Sequence, residues 1–392
     1  MIKKPNLLNE KDECCGCTAC ATVCPLKAIS FEYDDEGFLY PSIDYEICVG
    51  CLKCESVCAF KKDNKLSTDE YENTKVYATK AKCEDVVLNS SSGGMFTIFS
   101  DIFLDQGYAV AACKYVSEFD KVTMKLIFDK ISRDEARGSK YIQAELDDSF
   151  QQIIDYLYNN SENKILVIGT GCQIAGLDLL LKKQNLRNRA ILIDLICHGA
   201  PSSGLWKDYI QKIENKYNAK INYITFKNKR NGWEFPSTFI KIEDKEVSIK
   251  PYSDWFYMGW TLRKSCYKCP YTKIDRNSDI TIGDYWGIQN VMPDFYDKNG
   301  ISLVITHTEV GNELFEKVKN KIHWRESNFK DCLQPRLISP ELCPKDRSLF
   351  WQDMQEEGID YCIEKYIEIH ENTKKEKIIS LIKKIIRSLI KY

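Results

Sequence analysis

The sequence predicts a mixed α+β and α/β chain: a small cysteine-rich N-terminal lobe, a larger and partly parallel α/β domain, and a helical tail. Three observations predict it. Half of the eighteen cysteines fall before residue 60 at regular spacing. Residues 164–228 read strand, helix, strand, helix, strand. Residues 374–392 set apolar side chains at helical spacing. At 392 residues the chain is long enough for more than one core. Its 55 basic and 57 acidic side chains leave a net charge of −2, so electrostatics argues for no nucleic-acid partner. The first residues lack the apolar core of an export signal, and no eighteen-residue apolar run occurs. The cysteines are therefore expected as metal ligands in a reducing cytoplasm rather than as disulfides.

In the N-terminal lobe, Cys14, Cys17, Cys20 and Cys24 spell C-x2-C-x2-C-x3-C, closed by Pro25. Cys48, Cys51, Cys54 and Cys58 repeat the run, with Ala59 in place of the closing proline. This is the bacterial ferredoxin spacing, in which the fourth cysteine of each run ligates the other cluster. One 4Fe-4S cluster is then expected on Cys14, Cys17, Cys20 and Cys58, the other on Cys48, Cys51, Cys54 and Cys24. Cys15 is left over, a small residue beside the cluster. CxxC pairs also bind zinc, but two complete runs favour iron and sulfide. Between the runs, "ISFEY" and "FLYPSI" around "DDEG" predict a hairpin. The resemblance to a dicluster ferredoxin covers residues 8–62.

Residues 62–74 are polar and read as a linker. "KVYATKAK" predicts a strand, and Met95, Phe96, Phe99, Ile102 and Phe103 predict a helix stopped by Gly107. "YAVAACKY" and "KLIFDK" follow as strands. Residues 164–169 and 190–197 read as buried strands. The helix after the second is capped near Ser202 or Ser203, and "INYITFKN" is expected as a third parallel strand. Parallel pairing would bring Cys172 and Cys197, at the ends of the first two strands, to one sheet edge, where open α/β sheets bind ligands. With Cys266 and Cys269 of a CxxC they complete a four-thiolate set, read as a third 4Fe-4S cluster. Ordinary buried cysteines and a zinc-binding or redox-active CxxC are the competing readings. Cys83, Cys113, Cys332, Cys343 and Cys362 read as core or surface residues.

Seven segments occur in order: "NSSSGGMFTIFSDIFL", "GSKYIQAEL", "GTGCQIAGL", "DLICHGAPS", "FKNKRNGW", "LRKSCYKCPYT" and "DITIGDYWGI". Together they resemble the beta-subunit family of coenzyme F420-reducing hydrogenase and dehydrogenase, over roughly residues 75–340. The resemblance implies a flavoprotein that carries FAD and a 4Fe-4S cluster and exchanges a hydride with the deazaflavin. It also implies that Cys172, Cys197, Cys266 and Cys269 are cluster ligands; Gly171 stands where the family usually has proline. Ser92, Gly93 and Gly94 open a helix and could offer N–H groups to a pyrophosphate; an N-cap with flexible glycines is the plainer reading. Lys140 could pair with a phosphate and Tyr141 stack on a ring, or both could be surface residues. His198 is a candidate flavin partner or proton donor, or a satisfied structural histidine. Asp284 falls near the site by resemblance, and Asn228, Lys229 and Trp233 are candidate wall residues.

The expected function is an iron–sulfur flavoprotein oxidoreductase. It would pass electrons between a hydride-carrying small molecule (an F420-like deazaflavin or another reducible compound), FAD and 4Fe-4S clusters, with a redox partner protein or ferredoxin beyond them. The alternatives are an electron-relay subunit of a larger redox complex and a reductase of surface-polysaccharide biosynthesis. The expected units are a ferredoxin domain at 8–62, a flavin and iron–sulfur domain at 75–345, and a helical tail at 346–392. In the tail, Ile378, Leu381, Ile382, Ile385, Ile386 and Leu389 face away from Lys383, Lys384, Arg387 and Lys391. That helix could dock on its own core, bind a partner, or hold a cytoplasmic protein at the inner membrane surface.

Overall fold

A computed structural model of the protein describes residues 4–61, 74–116 and 118–366. The amphipathic helix expected over 374–392 and nearly all of the linker expected over 62–74 lie outside the described residues.

The strands are β1 (Ile29–Tyr33), β2 (Leu39–Ile43), β3 (Lys75–Ala81), β4 (Ala109–Tyr115), β5 (Val122–Ile127), β6 (Ile165–Thr170), β7 (Ala190–Leu195), β8 (Ile221–Asn228), β9 (Ser237–Ile242), β10 (Lys245–Ser248), β11 (Ile280–Asp284), β12 (Ser302–Thr306) and β13 (Ile322–Ser327). Eight of them form one mixed sheet in the order β13-β3-β12-β11-β7-β6-β4-β5. Its centre is parallel, through β4–β6, β6–β7 and β7–β11, and its flanks are antiparallel.

The central strands are apolar on both faces because both faces are covered. Ala109, Ala111, Ile165 and Val167 point into one core, while Val110, Ala112, Leu166 and Ile168 point into another. Helices Ser149–Asn159, Gly171–Lys183 and Ser203–Tyr217 bury their apolar stripes in the first core. Met95–Leu104 and Glu309–Val318 cover the opposite face through Ile98, Phe99, Phe103, Leu314 and Phe315. Ser202 caps the Ser203–Tyr217 helix, its Oγ accepting from the Leu205 N–H at 3.0 Å.

One expected pairing differs. "INYITFKN" is a strand, β8, but it leaves the main sheet and pairs antiparallel with β9 in a three-stranded sheet. Asn222 and Tyr223 are exposed on it, a pattern unsuited to a strand covered on both faces. The parallel neighbour of β7 is instead β11, which arrives 85 residues after β7 ends.

The N-terminal lobe forms the expected β1–β2 hairpin in register Ile29 with Ile43. It shares a core with the rest of the chain: Leu7, Ala19, Phe38 and Tyr40 join Trp206, Trp255, Trp260 and Phe350. Glycine permits the closest approach. A Cβ on Gly204 would stand 2.7 Å from Gly37 Cα, and Gly37 itself needs φ +74°. Beside them, the buried Arg347 guanidinium forks onto the Glu36 carboxylate, and Ser202 Oγ donates to Glu36 O. The first part of the segment expected as tail also packs inward, with Phe350, Trp351, Cys362 and Tyr366 in the same core.

Candidate iron–sulfur and cofactor site

The two cysteine runs fold alike. Gly16 and Gly50 take φ +71° and +69°, and Thr18 and Leu52 take φ +61° and +56°. Each run thus curls twice through left-handed backbone, which costs a non-glycine residue about 1–2 kcal/mol and turns three closely spaced sulfurs toward one centre.

The fourth sulfur comes from the other run. The Cys20 thiol is pushed well up, by burial first and then by the sulfurs of Cys17, Cys14 and Cys58 around it. Cys24 meets Cys48, Cys51 and Cys54 around a mostly apolar hollow that Lys53 also lines. Both groupings are the crossed sets that the spacing predicts.

The third set also gathers. Thr170 of β6 pairs with Leu195 of β7, and Cys172 and Cys197 each lie two residues beyond that pair. Burial, then Cys266 and Cys172, take the Cys197 thiol up to about 12. Cys269 is raised by burial and by Cys172, Cys266 and Cys197. Four such thiols cannot all ionise beside one another in a buried place without a compensating cation. Iron would supply that charge, and the donor chemistry of each set fits an iron–sulfur cluster. Sulfur atoms in each set also accept N–H or O–H bonds, the kind that tune a cluster. Gly16 N–H reaches Cys14 Sγ at 3.4 Å, Ala28 N–H reaches Cys24 Sγ at 3.3 Å, and Ala200 N–H reaches Cys266 Sγ at 3.3 Å. Among the described residues no three His, Cys, Asp or Glu side chains close around a single ion; a cubane takes each thiolate on a different iron.

The first and third sets adjoin. Cys172 lies in the first turn of the Gly171–Lys183 helix. One turn on, a Cβ at Gly176 would stand 2.7 Å from Cys17 Sγ. The left-over Cys15 is buried beside both Cys17 and Cys172, and its thiol lowers Cys17 and brings Cys172 down to about 7. By sequence Cys15 is only a bystander. Its place beside both Cys17 and Cys172, far apart in the sequence, has no local signal.

Residues 162–331 match the family model for the C terminus of the coenzyme F420 hydrogenase/dehydrogenase beta subunit. Residues 13–62 match the 4Fe-4S dicluster domain. Each match covers less than half of the chain, so the likeness holds for these two segments. No curated protein matches it. Among solved structures, it resembles a chain of the xenon-derivatised F420-reducing [NiFe] hydrogenase complex from Methanosarcina barkeri. That likeness has 16% identity and a TM-score of 0.45, and covers 75% of this chain and 91% of that one.

In the larger domain, three motifs singled out from the sequence meet. Lys229 Nζ donates to the carbonyls of Ser92, Val87 and Asn299, all within 2.7 Å. Ser139, beside Lys140, donates through its N–H and hydroxyl to Ser91 Oγ. Burial takes Lys140 down to about 8, and burial followed by Lys227 takes Lys229 down to about 7. Lys140 Nζ also bonds only carbonyls, those of Ala136, Arg137 and Gly138. Among the described residues neither amine is bonded by a carboxylate, and each places its three donors on carbonyls, so what they offer an anion is charge rather than a free N–H.

Other candidates are already engaged. Ser92 Oγ donates to Ile301 O, and the Gly93 N–H donates to Ser302 Oγ. Gly93 has a packing reason to be glycine, because a Cβ would meet Thr79 O at 2.5 Å. Gly94 starts the Met95–Leu104 helix at φ +94°. Tyr141 stacks on Phe256 at 4.4 Å and receives the Tyr257 hydroxyl. Asn228 Oδ1 accepts from the Arg230 N–H and shapes its own turn. Asp284 is held at both oxygens, by Lys227 Nζ at 2.6 Å and Trp233 Nε1 at 2.8 Å. His198 sits between Phe256 O at 3.3 Å and Glu341 at 3.4 Å, and burial lowers its pKa.

Proposed function

We propose that the chain is an iron–sulfur flavoprotein oxidoreductase that passes electrons between a hydride-carrying small molecule, FAD and three 4Fe-4S clusters. The observation that carries this reading is the Gly171–Lys183 helix, which meets the third cysteine set through Cys172 and the first through Gly176. A flavin takes electrons in pairs, and clusters pass them singly. This chain's residues supply the holding and the insulation. Cys14, Cys17, Cys20 and Cys58 hold one cluster, Cys24, Cys48, Cys51 and Cys54 the second, and Cys172, Cys197, Cys266 and Cys269 the third. Lys140 and Lys229 offer charge to the pyrophosphate, with Ser92, Gly93, Gly94, Tyr141 and Asn228 around them. His198, its pKa lowered by burial, and Asp284 are the candidate groups for managing a proton.

The test is anaerobic mixing with a reduced deazaflavin and a soluble viologen acceptor. Turnover by the chain alone supports the enzyme reading. Clusters that bleach with dithionite but with no hydride donor, deazaflavin or nicotinamide, remove the hydride step. They would leave an electron-relay subunit that works only with its partner. One observation favours a partner in either case: Cys51 is exposed, and Leu26 and Val49 at the rim of its hollow are 43% and 57% exposed. A redox protein docking there would meet the second cluster.

A further inference from the structure

We propose that Arg263 is the built-in counter-charge of the first cluster and raises its reduction potential. This rests on Cys14, Cys17, Cys20 and Cys58 being that cluster's ligands.

Arg263 is 1% exposed, yet no carboxylate bonds it among the described residues. The other deeply buried arginines are paired: Arg133 with Asp101, Arg276 with Asp194 and Arg347 with Glu36. Removing a guanidinium from water without an anion costs several kcal/mol, so a buried unpaired arginine marks a negative charge that the protein atoms alone do not supply. The geometry says where that charge lies. Arg263 Nη2 points at Cys14 Sγ at 3.6 Å, and Nε donates to Cys14 O at 2.6 Å. Gln143 steers it, accepting from Arg263 Nη1 at 3.2 Å while donating to Cys15 O at 3.0 Å. The guanidinium carbon lies over the Tyr40 ring, 4.0 Å from its centroid. Nη2 also donates to Leu39 O, at 2.8 Å.

A reduced cluster has gained one electron and one negative charge, with no bond made or broken. A fixed positive group hydrogen-bonded to a ligand sulfur stabilises that state more than the oxidised one, and hydrogen bonds and net charge are established controls of cluster potential. The second hollow is lined chiefly by apolar residues such as Pro25, Leu26, Ile29 and Ile43, and has no such buried cation. The effect is therefore confined to the set that adjoins Cys172, where it makes the first cluster a better acceptor from the third.

The test is a dithionite redox titration of the anaerobically purified full chain, followed by electron paramagnetic resonance, in wild type, Arg263→Gln and Arg263→Lys. In Arg263→Gln one midpoint moves to lower potential, and it belongs to the signal that Cys14→Ser removes or reshapes. Arg263→Lys lies between Arg263→Gln and wild type. Should Arg263→Gln fail to hold that cluster, Arg263→Lys decides: a lowered midpoint in that signal alone supports the role. Midpoints equal to wild type at full iron content, in whichever variant holds the cluster, overturn it. A general loss of structure would shift or weaken all signals together, and that outcome also overturns it. Wild-type protein without iron–sulfur signals would fail the underlying ligand assignment instead.

Discussion

Cys15 separates a ligand from a neighbour more sharply than any other residue. Its thiol lies beside both Cys17 and Cys172, so Cys15→Ala is expected to keep the full iron content while altering the spectra of two clusters. Cys58→Ala, by contrast, is expected to lose about four iron atoms per chain, measured by iron analysis after anaerobic purification. Lys229 makes a prediction in pH. Its folded pKa of about 7 lies below the ordinary 10.5, burial being the main cause. Between those values the unfolded chain binds more protons, so stability rises with pH across that window. The penalty for the buried charge is complete below pH 7. Lys229→Met is expected to flatten the rise in thermal midpoint from pH 7 to pH 10. At this scale, all twelve candidate ligands could be read from spacing and from strand ends. Arg263 could not, because nothing in "LRKSC" tells that its side chain reaches a carbonyl 249 residues earlier in the chain.

The Gly171–Lys183 helix is the element on which two cysteine sets depend. Gly176→Ala would drive a Cβ into Cys17 Sγ. The expected outcome is a perturbed or iron-depleted first cluster with the second unaffected, at an overpacking cost of about 1–3 kcal/mol. Resonance spectra of the separate clusters check it. Strands β6 and β7 and the helices after them were legible because continuous apolar runs followed by capped amphipathic runs have few other uses. β8 was legible as a strand and misassigned to a sheet. Pairing partners are set by which faces stay covered, and the exposure of Asn222 and Tyr223 shows only in three dimensions. β11 takes its place beside β7 only after the whole β8–β10 insertion has been threaded.

The molecule carries its electron-transfer lobe as part of its own core rather than on a tether. Glu36 in the β1–β2 turn and Arg347 near the end of the described chain form a buried fork, with Lys264 close by. Arg347→Met would strand the Glu36 carboxylate. Breaking such a pair costs about 3–5 kcal/mol, and a lowered anaerobic thermal midpoint with early loss of the N-terminal clusters is the expected result. This union of lobe and domain was not legible in the sequence, where residues 8–62 read as a ferredoxin domain. Contacts such as Gly37 on Gly204 involve residues with no side chain to advertise them. No described helix is long and apolar enough to cross a membrane.

Three sets of four cysteines, each gathered from separate stretches of one chain, are the claim on which the electron route depends. Iron, acid-labile sulfide and zinc counted per chain after oxygen-free purification test it most directly. Three filled sites predict a brown protein with about twelve iron atoms and as many sulfides. A pale preparation rich in zinc would contradict all three, and a reproducible ceiling of about eight iron atoms would remove the set on Cys172, Cys197, Cys266 and Cys269.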